Sequence, residues 1–292
     1  MGNNTSVLDI YGDYKDLDIN YGMTSQDYFV HMLRFSKMVD IVRGKNIFDL
    51  GCGKYTNLLK AICQLSRGPN YSCYIGTDYC KCRKWRPDYK AIWDKTYILD
   101  EKDFTNDDDF LTVLSVLETV YSSDEPFIIT CFEVLEHMDF KMQNKFLYNL
   151  SRILHNPLFR IEACYFSTPN FNGSAANNHI SELHYTLLEE MFERYDIKIV
   201  NAQGLSAWKK YCVQQNLGPG VNPPNNIAEM PSAIQKMVWG YALHRKYSNN
   251  ILYTIARGDM SLLNFNALIS KEFVHDGYRQ SGDKAYMCSN PF

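Results

Sequence analysis

No apolar run in the 292-residue sequence approaches the ~18 to 20 residues that a membrane span requires. The first thirty residues, rich in Asp, Asn and Tyr, also lack the apolar core of a signal peptide. These absences lead to the expectation of a soluble, cytoplasmic protein. Positive charge is not in excess: 30 Lys and Arg against 33 Asp and Glu leave a formal net charge of −3. No global field would therefore draw the chain onto nucleic acid. A disulfide frame is missing too, because the nine cysteines are odd in number, scattered, and often set inside apolar runs. Cys80 and Cys82 make a C-x-C with no second closely spaced pair, so the cysteines read as reduced packing residues rather than a zinc site.

The residues present describe a folded chain. Apolar residues make up 46% and aromatics 14%, far from the polar composition of disordered segments. At roughly 150 residues per domain, the length suits about two domains or one α/β domain with insertions. Met1-Gly2-Asn3-Asn4-Thr5-Ser6 fits the myristoylation pattern at Gly2. Without a polybasic stretch, one acyl chain would hold a membrane only marginally.

Residues 1–44 read as a polar, Tyr-rich segment followed by a helix over about 25 to 42, capped near Thr24. The spacing of Tyr28, Met32, Phe35, Val39 and Val42 gives its buried face. From 45 to 258, short β-rich runs alternate with amphipathic stretches, the pattern of a parallel sheet wrapped by helices. The runs are Asn46–Leu50, Ser72–Asp78, Thr96–Leu99, Pro126–Phe132, Ile161–Ser167, Ile197–Val200 and Asn250–Ala256. Leu111, Leu114 and Leu117 mark one intervening helix face, and Thr186 with Glu189 forms a T-x-x-E capping box for another helix. Between about 206 and 249, Gly218-Pro219-Gly220 and Pro223-Pro224 break regular structure, which reads as a lid-like insertion with Trp208, Trp239 and Tyr241 as candidate pocket walls. Residues 259–292 form a C-terminal extension.

The first run ends Asp49-Leu50-Gly51-Cys52-Gly53-Lys54-Tyr55-Thr56, immediately before a helix. Glycines at such a turn let a ligand approach the backbone above the helix N-terminus. A dinucleotide fingerprint needs a glycine where this chain has Thr56, which counts against a nicotinamide-dependent oxidoreductase. An acid at Asp49 instead suits a cofactor carrying an ammonium group. The segment resembles the first motif, D/E-x-G-x-G-x-G, of the class I S-adenosylmethionine (SAM)-dependent methyltransferases. Asp49, Gly51 and Gly53 match it, and Tyr55 stands where the third glycine falls.

The resemblance implies a Rossmann-like, seven-stranded, mostly parallel sheet with helices on both faces and a last strand running antiparallel. It further implies a cofactor site drawn from Asp49, Gly51, Cys52, Gly53, Asp78, Tyr79, Asp100, Phe104 and Glu133. In that reading Asp78 accepts the ribose hydroxyls, while Asp100, ranked above Asp103, and Phe104 bind and cover adenine. Each acid alone is equally well explained as a helix cap, a turn or a solvated loop residue. Three at the ends of three successive strands are harder to ascribe to accident.

After the fourth run comes Glu133-Val134-Leu135-Glu136-His137, and after the fifth Thr168-Pro169-Asn170. This order resembles a subgroup that includes ubiquinone-pathway O-methyltransferases and small-RNA 2′-O-methyltransferases. By that resemblance Glu133, Glu136 and His137, with His184 or His179 closing the set, would hold Mg, Mn or Zn, a mixed O/N donor set suited to such ions. A bound divalent cation would lower the pKa of an acceptor hydroxyl and orient its oxygen. A purely structural role for Glu136 and His137 stands beside this reading. His137 and His184 are the candidate catalytic residues.

The expected activity is O-methylation of a hydroxyl on a small molecule or glycan. The alternatives are metal-assisted methylation of nucleic acid, at an RNA 2′-OH or on modified DNA, and a non-catalytic protein that kept the fold. Basic and aromatic residues at Lys81–Arg86 and Trp208-Lys209-Lys210 would suit a nucleic-acid surface, but a solvated face explains them as well.

Overall fold

A computed structural model describes residues 25–66, 68–82, 94–121, 126–171, 179–206, 245 and 248–261. The expected Thr24 cap, the Gly2 pattern, Arg83–Arg86, Trp208, Trp239, Tyr241, nearly all of the insertion and most of the C-terminal extension lie outside them.

The chain opens with helix α1 (Ser25–Ile41) and strand β1 (Asn46–Leu50), then α2 (Asn57–Leu65), β2 (Cys73–Thr77), β3 (Thr96–Leu99), α3 (Asp107–Val120) and β4 (Phe127–Phe132). A single 3-10 turn (Leu135–His137) leads to α4 (Phe140–Leu154), β5 (Ile161–Pro169), α5 (Tyr185–Arg194), β6 (Ile197–Leu205) and β7 (Asn250–Arg257). The strands form one seven-stranded sheet in the order β3-β2-β1-β4-β5-β7-β6. Pairings among β1 to β5 are parallel, and β7 runs antiparallel to both β5 and β6. The seven expected strands are present, β6 being five residues longer than its apolar run because Asn201 to Leu205 continue the ladder to β7.

The central strands β1 and β4 are buried along their whole length, which is why they read as largely apolar runs rather than alternating ones, broken only by the buried Asn46, Asp49 and Thr130. One core packs α1 and α2 on one face, through residues such as Leu33, Met38, Leu58 and Ile62. The other packs α3, α4 and α5 on the opposite face, through Phe110, Leu117, Phe146, Leu150, Leu188 and Phe192.

Two expectations about helices are corrected. In α3 the buried face is Phe110, Val113 and Leu117, while Leu111 is 51% exposed. The side chain of Asn106 accepts from the amides of Asp108 and Asp109 and starts the helix there, and packing of Phe110, Val113 and Leu117 into the core decides which face turns inward. In α5 the cap is His184 rather than Thr186: the His184 side chain accepts from the Thr186 amide, so Thr186 lies inside the first turn. Glu189 instead pairs with Arg245 and accepts from the Tyr253 hydroxyl.

Candidate functional site

The carboxyl ends of β1, β2, β3, β4 and β5 lie side by side, and between β1 and β4 the strand order reverses. That reversal opens the crevice where open α/β sheets take ligands. On the β1 side the turn is pinned by backbone bonds: the amides of Gly51 and Cys52 both donate to the Thr77 carbonyl, at 2.9 and 3.0 Å. Gly51 and Gly53 each have φ of +74°, where a side chain is strained. A Cβ on Gly51 would fall 2.2 Å from Val134 Cγ2, whereas one on Gly53 would meet nothing within 4 Å. The first glycine thus allows β1 to close against the β4 end, and the second faces open space.

The departure at Tyr55 has a local explanation. The left-handed residue that starts α2 is Thr56, with φ of 48°, so position 55 carries a side chain without that strain. Lys54 and Lys60 lie over the Tyr55 ring.

Asp49 does not reach the turn surface. Its carboxyl is buried and takes hydrogen bonds from the Tyr74 hydroxyl (2.5 Å) and Thr130 Oγ1 (2.7 Å). Burial outweighs these bonds and raises its pKa to about 6. Both bonds tie β1 to its neighbours β2 and β4 beneath the glycine turn. Asp78 stands at the rim: its Oδ2 accepts from the Gly53 amide and its Oδ1 from the Cys80 amide, both at 2.8 Å. Tyr79 beside it is 74% exposed. Asp100 is half-buried at the end of β3, followed by Glu101 at φ of 57°. Phe104 is buried among Phe110 and Phe146, 5.3 and 5.1 Å between ring centroids, so it belongs to the core beneath the loop instead of forming a ligand-facing lid. Cys52 is buried with its sulfur 3.9 Å from that of Cys82.

On the β4 side the two glutamates of E-x-x-E-H diverge. Glu133, at φ of 57°, is gripped through Oε1 by Arg34 Nη1 (2.6 Å) and Ser167 Oγ (3.0 Å), and through Oε2 by Asn250 Nδ2 (2.7 Å). Arg34 is 1% exposed, and its Nη2 donates to His31 Nδ1 at 2.9 Å. Burial and the Arg34 charge hold His31 well below the usual imidazole range, so it stays neutral.

Glu136 is also 1% exposed, yet among the described residues neither of its carboxyl oxygens accepts a hydrogen bond from another residue, and Oε1 lies 4.0 Å from His137 Nε2. Burial, with Glu133 next, pushes its pKa well above the usual carboxylate range. Its neighbours are His137 and His179, whose ring centroids are 5.2 Å apart. One donor atom from each of Glu136, His137 and His179 lies within 4.8 Å of the others. His179 Nδ1 meets Glu182 Oε1 at 2.5 Å; a carboxylate only accepts, so this bond leaves the Nε2 lone pair for a cation. The two segments are stapled together: the amides of Ile180 and Ser181 donate to the Glu136 carbonyl, and Gln143 Nε2 donates to the carbonyls of Leu135 and Ser181.

The fourfold ligand expectation is corrected accordingly. Glu133 is turned toward Arg34, and His184 is committed to its helix, with Nδ1 2.8 Å from Thr186 Oγ1 and its pKa lowered by burial. Of the two open choices, His179 closes the cluster. Arg34 and Gln143 were missed in the sequence. The readable signal for Arg34 was a charged residue inside the buried stripe of α1.

No family model and no curated protein matches the sequence. Among solved structures, the chain is similar to a Burkholderia thailandensis 1,6-didemethyltoxoflavin-N1-methyltransferase with bound S-adenosylhomocysteine. That likeness has 11% identity over 86% of this chain and 85% of that one, with a TM-score of 0.46. A SAM-dependent methyltransferase from Clostridium acetobutylicum shares 10% identity over 85% and 96%, with a TM-score of 0.39. A chain of the Pnkp1/Rnl/Hen1 RNA repair complex shares 14% over 80% and 46%, with a TM-score of 0.41. At these values function has to be read from the site residues themselves.

Proposed function

We propose that the protein is a SAM-dependent methyltransferase acting on a hydroxyl group, with a divalent cation held by Glu136, His137 and His179. The observation that carries the cofactor reading is the meeting of the Gly51–Gly53 turn with Asp78 where the strand order reverses, with open space above Gly53. The cofactor supplies a sulfonium-borne methyl group. Gly51 and Gly53 admit it to the backbone, and Asp78, which spends one acceptor site per oxygen on backbone amides, keeps the remaining lone pairs for two ribose hydroxyls. Asp100 stands ready for the adenine side. Asp49 and Phe104 hold the turn and the loop from below.

The cation reading rests on Glu136, a buried carboxyl that accepts no hydrogen bond from another of the described residues and lies beside two imidazoles. A cation there lowers the pKa of an acceptor hydroxyl. Glu182 orients the His179 ring, Gln143 fixes the spacing of the two ligand segments, and His137, with its side chain 47% exposed, forms the solvent side of the set. The remaining gain comes from positioning donor and acceptor in line.

The acceptor is a hydroxyl on a small molecule or glycan. The cation set favours one second reading, a nucleic-acid hydroxyl, which predicts methyl transfer lost on chelation. Calorimetric titration with S-adenosylhomocysteine tests the cofactor reading. Wild type should bind, and Asp78→Ala should weaken binding by about tenfold or more, the loss expected for charge-assisted hydrogen bonds. A folded wild type that does not bind contradicts it.

A further inference from the structure

We propose that Cys52 and Cys82 are an oxidisable dithiol whose disulfide ties the glycine turn to the segment after β2 and closes the site to its cofactor. The functional half of this inference rests on the SAM reading above; formation of the bond does not.

The Gly51 and Cys52 amides hold the start of the turn to Thr77, while Gly53 after Cys52, with φ of +74° and nothing within 4 Å of where a Cβ would stand, leaves the far side of the turn room to adjust. The Cys52 side chain lies against Gly76: a Cβ on that glycine would come within 3.1 Å of Cys52 Sγ and 3.2 Å of Cys52 Cβ. Cys82 lies four residues beyond Asp78, its Sγ 3.7 Å from the Gly53 carbonyl and 3.9 Å from Cys52 Sγ. The closure needed to reach a disulfide of about 2.05 Å is about 2 Å, within reach of side-chain rotation and a small shift of the turn. The residues moved would include Gly53, whose amide holds Asp78 Oδ2. A bond made here therefore changes the spacing between the turn and the carboxylate assigned to ribose.

The oxidant is a hydroperoxide. One thiol attacks the peroxide oxygen and loses its proton as the O–O bond breaks, giving a sulfenic acid and one water with hydrogen peroxide. The second thiol displaces the sulfenic hydroxyl as another water while the S–S bond forms. The contact with Cys82 and burial push the Cys52 thiol above the usual range, so the reaction is slow compared with that of an exposed low-pKa thiol. Cys80, exposed and two residues from Cys82, is the internal control.

The test uses the full chain, treated with hydrogen peroxide and then titrated with S-adenosylhomocysteine. The expected result is a Cys52–Cys82 linked peptide in unreduced digests and an affinity about tenfold or more below that of reduced protein, restored by dithiothreitol. Cys82→Ser and Cys82→Ala should keep their affinity under peroxide, and Cys80→Ser should respond like wild type. A linkage elsewhere, no linkage in folded protein, or a linkage that leaves affinity unchanged overturns the proposal. Reduced protein that never binds contradicts the cofactor reading instead, while the peptide map still decides whether the bond forms.

Discussion

The two halves of the crevice treat buried acids in opposite ways. On the β1 side Asp49 has a donor for each carboxyl oxygen, and Asp78 accepts two backbone amides. On the β4 side Glu133 is gripped by Arg34, Ser167 and Asn250, while Glu136, three residues on, accepts no hydrogen bond from another of the described residues and has only His137 Nε2 at 4.0 Å. Buried polar groups are almost always satisfied, and among the described residues Glu136 is the buried carboxyl with both oxygens left without a hydrogen bond from another residue. On the proposed reading, a satisfied acid shapes the backbone that a ligand meets, and an unsatisfied one awaits a ligand that brings its own charge.

Removing the compensation on the satisfied side of E-x-x-E-H should have the largest cost. Arg34→Met removes the counter-charge of the largely buried Glu133 and leaves it only Ser167 and Asn250, and urea unfolding should register a loss of about 3 to 5 kcal/mol. The double variant Arg34→Met with Glu133→Gln should recover most of it. If the single variant costs no more than a surface substitution, the contrast between the two glutamates is misplaced.

Next comes Asp49, whose two hydrogen bonds offset burial only in part. Its carboxyl titrates at about 6 in the fold against 3.8 as the ordinary value. Because the folded pKa is raised, its stabilising contribution is complete below about pH 3.8 and is lost as pH rises through about 6. Between pH 4 and 7.5 the stability of Asp49→Asn relative to wild type should therefore rise, by on the order of 3 kcal/mol. A constant difference across that range would mean that the hydrogen bonds compensate fully.

The two sides touch where Val134 packs on Gly51, and this contact can be tested alone. Gly53→Ala should cost only the left-handed strain of about 1 to 2 kcal/mol. Gly51→Ala adds the clash with Val134, and Val134→Ala should relieve that addition without touching the strain. Equal costs for the two glycine variants would remove the mechanical link. The smallest effect belongs to His184→Ala, which should lose about 1 kcal/mol of helix capping and leave cation binding intact. His179→Ala should do the reverse, and calorimetry with Mn²⁺ separates the two.

The sheet was legible because β1 and β4 are short, largely apolar runs followed by glycine or an acid, and the motif residues fall at those ends. The face of α3 was not: leucines at 111, 114 and 117 suggest one stripe, but the core takes Phe110 and Val113 beside Leu117, with Leu114 at its edge and Leu111 exposed. The cap of α5 was misread because Thr186 and Glu189 fit the commoner pattern, while an imidazole acceptor at His184 is a rarer solution. The fate of Glu133 depended on Arg34, ninety-nine residues away in sequence, and no local spacing reports such a pair. Glu136 looked the same as Glu133 in the sequence; burial with no hydrogen bond from another of the described residues tells them apart.

The most direct test of this contrast is calorimetric titration of metal-free protein with Mn²⁺, in wild type and Glu136→Gln. The account predicts one site in wild type, weakened by about 100-fold or more when the carboxylate is replaced by an amide of the same shape. Equal binding by both proteins, or none by a folded wild type, would contradict it and leave Glu136 as an unexplained buried acid.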